Sequence, residues 1–137
     1  MQRANRAFRL QRLDEALRHY DQALALVDAL LDGGRPCVGL LMAKIVSHQN
    51  RANARLLAGR PAAAEDDHRA AYLFARAVAD DAHMPTELRR AACRRSRACM
   101  AEWRYFRGAR DGPRTDRGAR PPGLAVARQA PAGVLVH

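Results

Sequence analysis

The chain has 137 residues and a formal net charge of +10, with 24 Lys and Arg against 14 Asp and Glu. This length fits one domain, and abundant Leu, Ala and Arg with few aromatic and β-branched residues favour an all-α fold. No run of about 18 apolar residues is present, which argues against a membrane span. The opening residues Met1–Arg6 lack the apolar stretch of a secretory signal, so we expect a cytoplasmic protein.

The pattern of apolar residues predicts five helices, of which the first two precede Gly33. The first is short, from about Arg3 to Leu10, and a turn at Gln11–Arg12 separates it from the second. The negative charge of Asp14 and Glu15 favours the start of that second helix. Its apolar residues recur at steps of three and four, namely Leu13, Leu17, Tyr20, Leu24, Val27 and Leu31.

The third helix is predicted from about Val38 to Ala58 and the fourth from Pro61 to about Val78. Gly59-Arg60-Pro61 separates them, because Gly favours a helix C-terminus and Pro the first turn of the next helix. The residues predicted to be buried in the third helix are Val38, Leu41, Met42, Ile45, Ala52 and Leu56. Its opposite face, with Lys44, Arg51 and Arg55, is expected to be solvated.

The fifth helix is predicted from Pro85-Thr86 to about Phe106, followed by a change in composition. Its apolar stripe consists of Leu88, Ala92, Cys99, Trp103 and Phe106. On the other side of the helix lies a basic surface formed by Arg90, Arg94, Arg97 and Arg104. From Gly108 onward Gly, Pro, Arg and Ala dominate, so the domain is expected to cover residues 1–107 and a disordered tail residues 108–137.

Nothing in the chain carries the pattern of a catalytic, cofactor or metal site. There is no Gly-rich phosphate loop, Gly-x-Ser-x-Gly turn or His-Glu-x-x-His motif. Cys93 and Cys99 are six residues apart, which separates them by about 240° around a helix, so they cannot share a metal ion. We therefore expect no catalytic residues, no metal and no cofactor.

Small residues recur in the second and fourth helices with the same spacing. Ala16, Tyr20 and Ala23 match Ala64, His68 and Ala71, which lie 48 residues further on. This pattern resembles the tetratricopeptide repeat (TPR) family, in particular long-helix TPR-like bacterial proteins. The matches cover residues 1–31 and 45–79, and the fifth helix would begin a third unit or cap the stack. The resemblance implies stacked antiparallel helix hairpins.

The resemblance also implies a function, which is capture of a peptide or helix in a groove lined by the first helix of each repeat. The positions that match the family's peptide contacts are Asn5, Asn50 and Arg95, and Asn53 lies on the same helix as Asn50. The partner is expected to be a protein, with an acidic segment that arginine can bind.

Two alternatives stay open. One is a nucleic-acid-associated protein that uses the basic fifth helix and the tail. The other is a homo-oligomer without a ligand, held together through Trp103, Tyr105 and Phe106 of the last helix.

Overall fold

The computed structural model describes residues 2–111, apart from the side chains of residues 2, 3 and 8. Within that range the fold is all-α, as predicted. It consists of four helices in sequence: α1 (Gln2–Gly33), α2 (Val38–Leu57), α3 (Pro61–Asp80) and α4 (Thr86–Asp111).

The first two predicted helices are one continuous helix, so the prediction of a turn at Gln11–Arg12 is wrong. Gln and Arg are both good helix formers, and neither Gly nor Pro interrupts this region. The favourable position of Asp14 and Glu15 near a helix start was not enough to create one. α1 ends at Gly33, and at Gly34 a side chain would meet the backbone oxygen of Leu30 at 2.8 Å.

The remaining helix boundaries follow the predicted Gly and Pro signals. Gly59 has a φ of 77°, a left-handed conformation that favours glycine after a helix C-terminus. Pro61 begins α3. α4 continues to Asp111, five residues beyond its predicted end, so residues 108–111 of the predicted tail are helical. Residues 112–137 lie outside the described part of the chain.

Neighbouring helices pack antiparallel, and side-chain contacts fix the register of each pair. α1 contacts α2 through Asp21–Arg51 and Asp28–Lys44. α2 contacts α3 through Arg51–Asp67 and Lys44–Phe74. α3 contacts α4 through Glu65–Trp103 and Ala79–Arg89. Hence α1 and α3 point in one direction, and α2 and α4 in the other.

α2 is the central helix of the fold. Its residues 45–50 are buried on every side, because α1 packs on one side of α2 while α3 and α4 pack on the other. The largest apolar cluster joins Leu41 and Ile45 of α2 to Ala71 and Ala75 of α3 and to Leu88, Ala92 and Cys99 of α4. A smaller cluster combines Ala52, Ala64 and Phe106. Val38 and Leu56, predicted to be buried, are exposed near the ends of α2.

α1 is longer than the helix it packs against. Asp21 of α1 contacts Arg51 of α2, six residues before the end of α2 at Leu57. Leu57 therefore lies level with about Glu15 of α1. Residues 2–14 of α1 therefore project beyond α2 by about 18 Å. Consistent with this, the described side chains from residue 4 to residue 12 are exposed.

Candidate functional site

The strongest polar cluster in the fold is centred on Asp67, whose side chain is almost completely buried between α2 and α3. Its carboxylate lies 2.9 Å from His48 Nδ1 and accepts hydrogen bonds from Arg51 at 2.8–3.1 Å and from Arg55 at 2.7 Å. Arg51 also reaches Asp21 of α1 at 2.8 Å. The cluster thus connects three helices.

Every charge in this cluster is compensated, which identifies it as a structural element. Burial alone would raise the pKa of Asp67, but hydrogen bonds from His48 and Arg51, with the charges of Arg51 and Arg55, lower it. The carboxylate is therefore ionised and held in place. The prediction that Lys44, Arg51 and Arg55 form a solvated face is wrong, because their side chains are half-buried against acidic partners on α1 and α3.

The four predicted peptide contacts do not form one site. Asn5 lies on the projecting part of α1, 16 residues before Asp21. Asp21 contacts Arg51, which is adjacent to Asn50 in α2. At 1.5 Å per residue, Asn5 is about 24 Å along the helix from that level. No single peptide terminus can bind Asn5 and Asn50 together.

Asn50 and Asn53 also differ in accessibility. Asn50 is buried, and its Nδ2 has no hydrogen-bond partner among the described residues. Asn53 is half-buried, as is Arg95 on α4. Of the four predicted contacts, Asn53 and Arg95 are thus the pair on neighbouring helices that remain partly accessible.

A second polar cluster lies where α2 meets α4. Gln49 Nε2 lies 3.7 Å from Cys99 Sγ. One turn on from Cys99, Glu102 is only 3% exposed, and neither of its carboxylate oxygens has a hydrogen-bond partner among the described residues. Gln49 Oε1 and Arg95 Nε are also buried and unpaired there. This cluster differs from the Asp67 cluster in that its polar atoms are not satisfied by the fold.

Burial controls the protonation of this second cluster. It raises the pKa of Glu102 to about 7, although the charge of Arg95 acts in the opposite direction. Burial and the neighbouring Glu102 charge raise the pKa of Cys99 to about 12. The Cys99 thiol is consequently protonated at neutral pH, and it lacks the thiolate character required of a nucleophile or a metal ligand. Among residues 2–111, no His, Cys, Asp and Glu side chains are grouped suitably for a metal ion.

The four arginines predicted as a basic surface all lie exposed on one face of α4. Arg90, Arg94, Arg97 and Arg104 fall within about 80° of one another around the helix and span about 21 Å along it. We call this set the arginine stripe. By contrast, Arg107 and Arg110 turn toward α3 and contact Glu65. No acidic residue in the described part of the chain lies within ion-pair distance of the stripe.

The aromatic residues of α4 are engaged with α3. Phe106 is buried, and its ring lies 4.9 Å from that of His68. The Trp103 ring lies 6.1 Å from that of Tyr72, and its Nε1 donates to Glu65 at 3.4 Å. Tyr105 is half-buried. The surface that these residues offer to a second copy of the chain is therefore small.

An apolar face of α1 lacks a neighbouring helix. The small-residue motif of α1 recurs 48 residues later in α3, which packs against both α2 and α4, whereas α1 packs mainly against α2. In α3, Ala71 is 1% exposed and Val78 8%. The corresponding residues of α1 are Ala23, half-buried, and Leu30, 48% exposed, and Leu26 beside them is 62% exposed. We call Ala16, Ala23, Leu26 and Leu30 the open face of α1.

Sequence reasoning identified the arginine stripe but missed the two buried polar clusters. Asp67 had a detectable signal, because it lies three residues after Ala64 and four before Ala71 and so shares their buried face. Glu102 had a similar signal, three residues after Cys99. A charged residue is seldom fully buried, so the sequence predicts neither position as part of the core.

Comparison with known proteins identifies the family. The family model described as "Protein of unknown function (DUF2753)" matches residues 1–120. The chain belongs to this family. The DUF2753 match covers all four helices. No curated protein and no solved structure matches the chain. None of the described helices combines the length and the apolar character required to cross a bilayer.

Proposed function

We propose that this DUF2753 protein is a non-enzymatic interaction module of TPR type, which binds a helix of a partner protein on the open face of α1. The observation that carries the proposal is the contrast between α1 and α3. The same small-residue motif is buried under two helices in α3 and under one in α1. The α3 face that corresponds to the open face packs against an antiparallel helix, α2.

The chemistry of the open face indicates the kind of helix that it accepts. Its C-terminal half offers Ala23, Leu26 and Leu30, so the partner helix must supply apolar residues there. Beside its N-terminal half lie exposed Arg9 and His19. An acidic residue at that end of the partner would complement them. A partner helix that is apolar along one half and acidic along the other matches both features.

The protonated Cys99 thiol and the fully paired Asp67 supply no reactive group, which supports a non-enzymatic role. All three cysteines are free, including the exposed Cys37. Free thiols are typical of a reducing compartment, which supports a cytoplasmic location as part of this proposal.

The test compares two leucines of the open face with two exposed leucines elsewhere. The variant Leu26→Glu with Leu30→Glu removes the apolar contact, and Leu57→Glu with Leu73→Glu is the control, which adds the same charge at exposed leucines elsewhere. Partners recovered from cell extract on the unmodified protein are purified and titrated against each variant by calorimetry. Burial of two leucines contributes about 3 kcal/mol or more, so the open-face variant should bind at least about 100-fold more weakly.

The control variant should bind as the unmodified protein does. Equal affinity of both variants for the purified partner would refute the proposed docking face. Sedimentation of the protein alone supplies the other decisive result. If it forms a dimer that the open-face variant converts to a monomer, the occupant is a second copy of the chain and the hetero-partner proposal is wrong.

A further inference from the structure

The positive charge of the chain lies toward its two ends in the sequence, outside residues 13–85. Residues 13–85 carry eight basic and ten acidic side chains, and are close to neutral. Residues 2–12 carry four Arg and no acid, and residues 86–111 carry eight Arg against three acids. The net charge of +10 therefore originates almost entirely outside the middle of the chain.

The antiparallel topology brings these two basic segments to the same end of the molecule. Because each helix reverses the direction of the one before it, the N-terminus of α1 lies at the end where α4 finishes. α2 lies between them, so two interhelical spacings, about 20 Å, separate the axes. Arg6 and Arg9 on the projecting part of α1 and Arg104 of the stripe consequently lie at one end of the fold, but the stripe faces away from the buried residues of α4 and so away from α1.

The arginine stripe itself is suited to close approach of an extended polyanion. Ala101 lies between the arginines on the outer face, and Gly108 follows Arg104 on the same face, where an added side chain would meet open space. The guanidinium groups form no ion pairs within the described residues. Arginine in this setting binds phosphate oxygens through two parallel hydrogen bonds. The sequence that follows α4, residues 112–137, adds four Arg against one Asp.

We infer that the arginine stripe of α4 binds the phosphodiester backbone of nucleic acid without sequence preference. The aromatic residues favour backbone contact over base stacking, since Trp103 packs against Tyr72 and Phe106 against His68. Duplex DNA, which has the higher density of phosphates, is therefore the preferred ligand, ahead of a single strand. This surface is separate from the open face of α1.

Salt dependence gives the inference a quantitative test. Four phosphate contacts, one for each arginine of the stripe, predict a slope of about −3.6 in a plot of log affinity against log salt. Binding of a fluorescein-labelled duplex of about 20 base pairs, followed by anisotropy, should therefore weaken by at least about 100-fold between about 50 and 200 mM NaCl. Duplexes of different sequence should bind equally.

The decisive comparison uses two variants that lose the same charge. One replaces the stripe, with Arg90→Gln, Arg94→Gln, Arg97→Gln and Arg104→Gln. The matched control replaces four exposed arginines outside the stripe, with Arg18→Gln, Arg35→Gln, Arg69→Gln and Arg76→Gln. The stripe variant should lose most of this slope, about 0.9 for each arginine, whereas the control should retain nearly all of it. Far-UV circular dichroism confirms that both variants fold.

Three results would overturn the inference. Equal loss of slope in the two variants would mean that net charge, not the stripe, attracts the DNA. Tighter binding of the single strand than of the duplex would rule out backbone-only contact. Displacement of the duplex by poly-glutamate at equal charge concentration would mean that the stripe binds acidic polypeptide.

Discussion

Glu102 is expected to make the protein less stable as the pH rises from about 4.5 to 7. The side chain is 3% exposed with both oxygens unpaired among the described residues, and burial raises its pKa from 4.5 to about 7. In the unfolded chain the same carboxyl ionises at its ordinary value. The folded state therefore holds the proton more tightly, and its stability falls until the pH exceeds the folded pKa.

The magnitude follows from the difference between the two pKa values. At 1.36 kcal/mol per pH unit, ionisation of buried Glu102 destabilises the fold by roughly 3 kcal/mol at pH 8 relative to pH 4. Glu102→Gln keeps the size of the side chain and removes the ionisation. The unfolding free energy of the variant minus that of the unmodified protein should consequently rise by about 2–3 kcal/mol from pH 4.5 to 8.

Urea unfolding at several pH values, followed by far-UV circular dichroism, measures this difference. Taking this difference cancels the effects of other titrating groups, such as His68. Burial lowers the pKa of His68, so its contribution to the stability of the fold falls as the pH drops below 6.5. Glu87→Gln, at an exposed position of the same helix, is the matched control for replacing a carboxylate by an amide. A Glu102→Gln difference that stays constant within about 0.5 kcal/mol between pH 5 and 8 would refute the reasoning.

Two further predictions concern stability and use the same unfolding assay. Asp67→Asn removes the charge that compensates Arg51 and Arg55, and should cost about 3–5 kcal/mol. Its exposed neighbour Asp66, whose pairing distance is 3.9 Å, should tolerate the same change within about 0.5 kcal/mol, and equal effects would contradict the structural role of the cluster. Gly59→Ala places a side chain at a φ of 77° and should cost about 1 kcal/mol, whereas Gly33→Ala in helical backbone should stabilise by up to about 1 kcal/mol.

The helix boundaries that the sequence predicted well are those marked by Gly or Pro. Gly59 and Pro61 fix the end of α2 and the start of α3 through backbone conformation, which depends on local residues alone. The turn expected at Gln11–Arg12 had no such residue. It rested on the negative charge of Asp14 and Glu15, a signal too weak to start a new helix within a run of good helix formers.

The buried polar residues were less predictable because their environment depends on three helices at once. Residues 45–50 include His48, Gln49 and Asn50, which on an isolated helix would face several directions. Burial of all six requires that α2 lies in the centre, a fact of topology rather than of periodicity. Asp67 is likewise stable inside only because arginines from α2 reach it.

The difference between α1 and α3 shows why one sequence motif can have two roles. In α3, Ala71 and Val78 are covered, so the motif closes the core. In α1 the residues that correspond to them, with Leu26, face outward because α1 packs mainly against α2, which covers only the other side of the helix. The open face and the arginine stripe lie on different helices, α1 and α4, and share no residue. Leu26→Glu with Leu30→Glu should therefore weaken partner binding and leave the salt slope of DNA binding unchanged, whereas loss of the stripe arginines should reduce that slope and leave the calorimetric affinity for the partner helix unchanged.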